Sequence, residues 1–205
     1  MKLAARFAVV AAVLAVTASV APAAPRNFGI DQSHSEVGFE IRHFFTKVNG
    51  HFDSFDGSIV YDDQKLAASS VSVTIADSSI NTKNTRRDNH LRSADFFEVD
   101  KYPAITFKST KVIPGKDKEH FQVVGDFTMH GVTKPVTLDV EFMGMGTIAM
   151  GGNVMGTRAG FSATTTINRK DFNITWNKAL DNGSMMLGDD VSITLNIEAV
   201  EKQTP

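Results

Sequence analysis

The sequence predicts an all-β protein: an antiparallel barrel of about eight strands carrying one short helical insertion. Three observations lead there. Most of the chain beyond residue 24 alternates apolar and polar side chains with period two, as a strand with one buried face requires. Turn signals separate the alternating runs at Asp62-Asp63, Pro114-Gly115-Lys116-Asp117, His130-Gly131, Gly151-Gly152-Asn153 and Asn182-Gly183-Ser184, and short connections favour antiparallel neighbours. Only residues 85–97 carry helical spacing. A sandwich would satisfy the same alternation, but long strands with a single insertion favour closure, which removes both sheet edges. Composition agrees: 15 phenylalanines stand against one tryptophan and two tyrosines, and a purely apolar aromatic lining suits an interior with few hydrogen-bond partners.

The first segment is expected to be an export signal. Lys2 and Arg6 precede an apolar run over 7–20 that is short for a membrane span, and Ala21-Pro22-Ala23 is a small-x-small cleavage pattern. Cutting after Ala24 would put Pro25 directly behind the bond, so cleavage is expected after Ala23. That leaves one barrel domain over 24–205, long enough to bury a sizeable core, in the periplasm, with no membrane span after cleavage. Losing Lys2 and Arg6 takes the 21 basic residues to 19 against 23 acidic ones, a net charge of −4. This balance argues against nucleic acid as a partner and gives no general attraction to anionic membranes. The absence of cysteine excludes thiol catalysis, thiolate metal sites and disulfide support.

The strands follow in order. Val37, Phe39 and Ile41 alternate with Glu36, Glu40 and Arg42; 48–55 and 55–61 come next; Val71, Val73 and Ile75 alternate with serine and threonine. Beyond the insertion come 105–112, 121–129, 136–142 and 161–167, and 191–199 closes the chain. The alternation nominates Phe39, Ile41, Phe52, Val73, Phe107, Phe127, Leu138, Phe142, Phe161 and Ile193 as inward-facing.

The insertion packs Arg86, Arg87, Asp88, His90 and Arg92 into seven residues and follows them with Phe96 and Phe97. Thr85 with Asp88 three residues later fits a capping box. Leu91, Ala94 and Phe97 form one short apolar stripe, Ser93 can cap a second turn, and Pro103 ends helical character. Such a helix is stable only where its apolar edge is buried, so it should close one end of the barrel with Leu91 and Phe97 turned inward. Arg87, Asp88, His90 and Arg92 include the groups that acid/base work needs. They equally suit anion recognition by arginine, or a purely structural role in which Asp88 caps and the arginines pair with carboxylates. No nucleophile elbow, phosphate loop or dinucleotide fingerprint occurs. The six histidines lack zinc-ligand spacing; His34, His43 and His51 could meet only across adjacent strands, so no metal is expected.

With these residues in view the chain resembles the YceI-like family of exported, lipocalin-like polyisoprenoid-binding proteins. The similarity runs from about residue 28 to 200. It begins with Asp31-Gln32-Ser33-His34-Ser35, Val37-Gly38-Phe39 and Gly50-His51-Phe52. Its densest block is Asn81-Thr82, Arg87-Asp88-Asn89-His90-Leu91-Arg92-Ser93, Asp95-Phe96-Phe97 and Tyr102-Pro103. Gly125-Asp126-Phe127-Thr128, Gly131 to Val136, Ile167 to Phe172 and Gly188-Asp189-Asp190-Val191 complete it. Asn89 stands where many relatives carry an acid, and Asn173 where glycine is usual. The resemblance implies a lipocalin-like barrel whose apolar tunnel binds an isoprenoid or other amphiphilic lipid, of quinone or polyprenyl type, to carry or sequester it. It implies no catalytic residues, no metal and no cofactor beyond such a lipid or quinone. Arg87, His90 and Arg92 would meet the polar head, and Leu91 and Phe97 would join the lining. The alternative is an enzyme acting on a lipid head group through Arg87, Asp88, His90 and Arg92. A homodimer is left open.

Overall fold

The alternating runs fold into eleven strand segments joined into a closed antiparallel barrel, eight strands around. The computed structural model describes residues 24–181 and 183–202, so the expected export signal, 1–23, lies outside the described residues. Eleven segments make eight strands because the first three strands are each broken once. β1 (Arg26–Ile30) continues as β2 (Glu36–His43), β3 (Thr46–Phe52) as β4 (Phe55–Tyr61), and β5 (Ser70–Ala76) as β6 (Ile80–Asn81). β7 (Ala104–Pro114), β8 (His120–Met129), β9 (Val132–Met150), β10 (Asn153–Asn168) and β11 (Leu187–Glu201) are continuous. β11 closes the ring by pairing with β2 along its first part, through Ile193↔Phe39, and with β1 at its end, through Ala199↔Ile30.

The breaks follow from local polar chemistry. Asp31 accepts hydrogen bonds from the backbone and hydroxyl of Ser33 at 3.1 and 2.6 Å, which turns the chain between β1 and β2. His34 and Arg158 also reach its carboxylate, at 3.0 and 2.8 Å, and Arg158 bridges on to Glu198. The Ser33, His34 and Arg158 hydrogen bonds hold the Asp31 carboxyl well below the usual carboxylate range. Asp31, His34 and Glu198 are close enough together to suggest a metal site. Arg158 already pairs with both carboxylates. His34, His43 and His51 do not converge: register sets His51 opposite Gly38, and His43 opposite Thr46 at the hairpin end.

At Asp77–Ser79 the third strand breaks, and β7 begins level with the break, Ala104 pairing with Ala76. β2, β3 and β6 run on past this level, so the wall lacks a strand beside β6. The chain leaving β6 enters that gap as α1 (Thr85–Arg92), which makes contact with β6. The helix is capped by Asn84, whose side chain accepts from the Arg87 amide at 3.1 Å, one residue earlier than the expected Thr85. Asp88 does not reach back to the cap as a capping box requires; it turns inward to Thr82. Ser93 ends the helix, and its carbonyl opens the next turn by accepting from the Phe96 amide.

β9 and β10 run far longer than 136–142 and 161–167. β9 leaves β8 at Glu141, and past Gly146 and Arg158 the pair runs on as a two-stranded ribbon; Gly144, Gly146, Gly151, Gly152 and Gly156 along this stretch obscure the alternation in sequence. The His130-Gly131 signal proves to be a two-residue hairpin turn with both φ positive, +51° and +74°, as the strand twist favours. At Gly125 a β-carbon would lie 2.4 Å from the ring of Phe107, so glycine there lets that ring lie flat across the neighbouring strand.

Candidate ligand-binding cavity

Inward-facing side chains from every strand do not fill the barrel; they enclose a cavity of about 820 Å³. That is in the range of sites which bury a whole small ligand. Phe39, Ile41, Phe52, Val73, Phe107, Phe127, Leu138, Phe161 and Ile193 all border it, together with Leu91 and Phe97 from the insertion. Along β2, β3, β5, β7, β8, β10 and β11 these side chains stand on the cavity side of the wall. Phe142 is the departure. It packs inward, stacked on Tyr61 at 4.9 Å and against Phe161 at 5.4 Å, and these two rings border the cavity in its place.

Charge on the cavity wall has one sign. Arg86, Arg87 and Arg169 border it with His43 and His90, and no aspartate or glutamate does among the described residues. Asn84 and Arg86 are both exposed and part of the wall, so the cavity reaches solvent at the first turn of α1. Past the polar groups of this end, the wall is apolar but for Thr165 as far as Tyr61, Ser69 and Ser70.

Arg87 is held in place by its neighbours. Its Nε donates to Thr82 Oγ1 at 2.6 Å and its Nη2 to the Thr82 carbonyl at 2.7 Å. Thr82 in turn donates its amide and hydroxyl to Asp88 Oδ1, at 2.9 and 2.5 Å. Buried Asp88 therefore fixes Thr82, and Thr82 fixes Arg87 at the cavity wall. His90 bonds Asp95 through Nε2 at 2.8 Å and meets Phe96 and Trp176 edge-on, both at 5.0 Å. Asp88 and His90 thus serve different partners and make no acid/base pair with each other.

Arg92, expected at the head group, does not border the cavity. Its guanidinium donates to the carbonyls of Ser78 and Ile80, both at 2.7 Å, and to Asn89 at 3.2 Å. The two carbonyls have no strand neighbour in the wall gap, and Arg92 satisfies them, so it ties the helix to β6.

Arg169 belongs to the 167–172 block of the resemblance but was not expected at the site. It is buried, and it donates to the carbonyls of Gly188, Ile174 and Trp176 at 2.8–2.9 Å and to Asp189 at 3.1 Å. It therefore seats Trp176 at the mouth. Burial pulls the guanidinium below its ordinary value, against Asp189, and still leaves it cationic. Asp77 was also missed. It is fully buried under the third strand break, away from the cavity wall, with both carboxyl oxygens lacking a hydrogen bond; the Ile105 amide is a weak electrostatic neighbour only. Desolvation pushes its carboxyl up to about 7.

Known proteins share this architecture. Residues 28–199 match the YceI-like domain. The UPF0312 protein SA2479 of Staphylococcus aureus is 42% identical over 173 residues, covering 84% of this chain and 96% of that one. The Campylobacter jejuni YceI protein superposes with a TM-score of 0.65 at 34% identity, over 84% of this chain and 96% of that one. A polyisoprenoid binding domain from Saccharophagus degradans shares the fold alone, with a TM-score of 0.57 at 15% identity over 85% and 98% of the two chains. By the extent of these matches, this chain belongs to the YceI-like domain family.

Proposed function

We propose that the protein binds an isoprenoid or other amphiphilic lipid, of quinone or polyprenyl type, and carries or sequesters it in the periplasm after cleavage behind Ala23. The observation that carries this reading is the 820 Å³ apolar cavity whose only charged wall groups, among the described residues, are basic and gather toward the α1 end. An apolar tail gains by leaving water for such a wall, and Arg86 and Arg87 suit an anionic or strongly accepting head. The polyisoprenoid-binding fold neighbour supports the same class of ligand. The protein acts by binding; Asp88 and His90 are occupied in holding the mouth together.

Magnitude sets a lower bound on the tail. Each buried CH₂ contributes about 0.8 kcal/mol, so two isoprene units supply roughly 8 kcal/mol gross. Association costs on the order of 4–15 kcal/mol before any net affinity is seen. Tails of one or two units should bind weakly, and affinity should climb steeply to about four units and level off once the cavity is full. Trp176 is the chain's only tryptophan and borders the mouth, so its fluorescence reports occupancy directly. Titration with quinones of increasing prenyl length is expected to give saturable quenching with that length dependence. Affinity independent of tail length would refute tail burial in the barrel.

A further inference from the structure

Phe45 is 97% exposed at the tip of the hairpin joining β2 to β3. No local need explains it: Phe44 before it takes the left-handed φ of +51°, a position where Asn or Gly is the ordinary choice. The hairpin tip is not isolated. The Phe44 amide donates to the Met186 carbonyl at 2.8 Å, and the Met186 amide to the Lys178 carbonyl at 2.9 Å. This places the 178–186 loop beside it, with Met185 41% exposed. Two adjoining protrusions thus present apolar side chains to water at one end of the barrel.

That end is the mouth. Register points the chain leaving β6 toward the β2–β3 tip, since Asn81 pairs with His51. His43 and Met186, on the same two protrusions, border the cavity together with Asn84 and Arg86. The local charge is basic although the whole chain carries −2. Arg42 reaches the Phe44 carbonyl at 3.0 Å, and Lys178, Lys83 and Arg86 are exposed without a carboxylate partner among the described residues. Lys47 is neutralised by Glu40 at 2.5 Å, and Asp181 is the acid on the 178–186 loop. Exposed phenylalanine and methionine among unpaired cations match the chemistry of a bilayer interface with anionic head groups: the ring and thioether enter the acyl boundary while arginine and lysine meet phosphates.

We propose that this end of the barrel docks on an anionic lipid bilayer, with Phe45 and Met185 inserted, so that the cavity mouth faces the membrane. A carrier docked this way passes its ligand between bilayer and cavity without exposing the tail to water. Docking concerns the outer surface and stands apart from the cavity reading, on which only that use of it rests.

Sedimentation with vesicles of phosphatidylglycerol and phosphatidylcholine in equal parts tests it. The protein should bind these vesicles, bind pure phosphatidylcholine several-fold more weakly, and release as salt is raised. Phe45→Ser should weaken vesicle binding about tenfold, and Lys178→Glu several-fold, on the anionic vesicles. Neither side chain borders the cavity, so Trp176 quenching by a tetraprenyl quinone without vesicles should be unchanged in both. Wild-type protein that ignores anionic vesicles overturns the proposal. So does a Phe45→Ser variant that binds vesicles as well as wild type, or one whose only change is loss of a dimer on size exclusion. Vesicle binding with these sensitivities, in a protein that takes up no quinone, supports docking while removing the cavity reading.

Discussion

Leu138→Trp should abolish lipid uptake, by at least about a hundredfold in affinity, without destabilising the protein. Leu138 sits on β9 opposite Val123, and its side chain borders the cavity. In a fully packed core an indole in place of an isobutyl group overpacks, at a cost of about 1–3 kcal/mol. Here the added atoms enter empty space and cover apolar wall, so their burial offsets any strain. The same atoms take the volume a prenyl tail needs. Two readings are therefore opposed in one variant. If the barrel is a ligand site, urea denaturation is unchanged or improved while uptake of a tetraprenyl quinone is lost. If the interior is in truth tightly filled and serves stability alone, the variant is destabilised by the full overpacking cost. Quinone absorbance after gel filtration is the readout, because the new indole complicates the Trp176 signal.

The second large effect is on stability. Between about pH 4 and pH 7 the protein should become progressively less stable, and Asp77→Asn should remove much of that slope. An unfolded aspartate releases its proton near 3.8, whereas buried Asp77 keeps it up to about 7. Within that window the native state binds the extra proton, so raising the pH favours unfolding; the contribution is full below about 4 and exhausted above about 7. Proton release delayed from 3.8 to about 7 corresponds to roughly 4 kcal/mol. Above pH 7 the wild type holds a buried carboxylate with no hydrogen bond. An amide there is also unsatisfied but uncharged, and should leave the variant about 2 kcal/mol more stable at pH 8. Every other titratable group is the same in both proteins, so the difference between the two urea-denaturation series isolates Asp77. Parallel curves across pH 4.5 to 8 would show that the carboxyl is ionised throughout.

Much of the barrel was legible because its physics is local. A strand with one wet face must alternate, and along Val37 to Ile41 and Val191 to Ala199 it does so with the expected faces inward. What escaped the sequence depends on distant neighbours. The break at Asp77 looks like any strand end; burial comes from the Pro103–Ala104 chain laid against it, whose Pro103 carbonyl accepts the Asp77 amide. β1 and β6 are too short for alternation to register. Phe142 keeps the alternation of β9 and packs on the core, but it stacks on Tyr61 and Phe161 instead of bordering the cavity, a distinction that depends on partners far away in the chain. At the mouth, the sequence places Arg87 and Arg92 alike at the head group, and only their neighbours separate them. Arg87 borders the cavity because Thr82 and Asp88 hold its guanidinium, whereas Arg92 is absorbed by two unpaired carbonyls that only the missing strand beside β6 leaves free. Arg169 offered no local cue, since the carbonyls it gathers lie up to nineteen residues away.

Native mass spectrometry of the protein, purified without detergent, tests the central claim most directly. The account predicts a single non-covalent adduct per chain, extracted into organic solvent at unchanged mass as an isoprenoid lipid, and absent from Leu138→Trp prepared in the same way. Bare protein that also fails to take up added tetraprenyl quinone, or an adduct retained equally by Leu138→Trp, would contradict it.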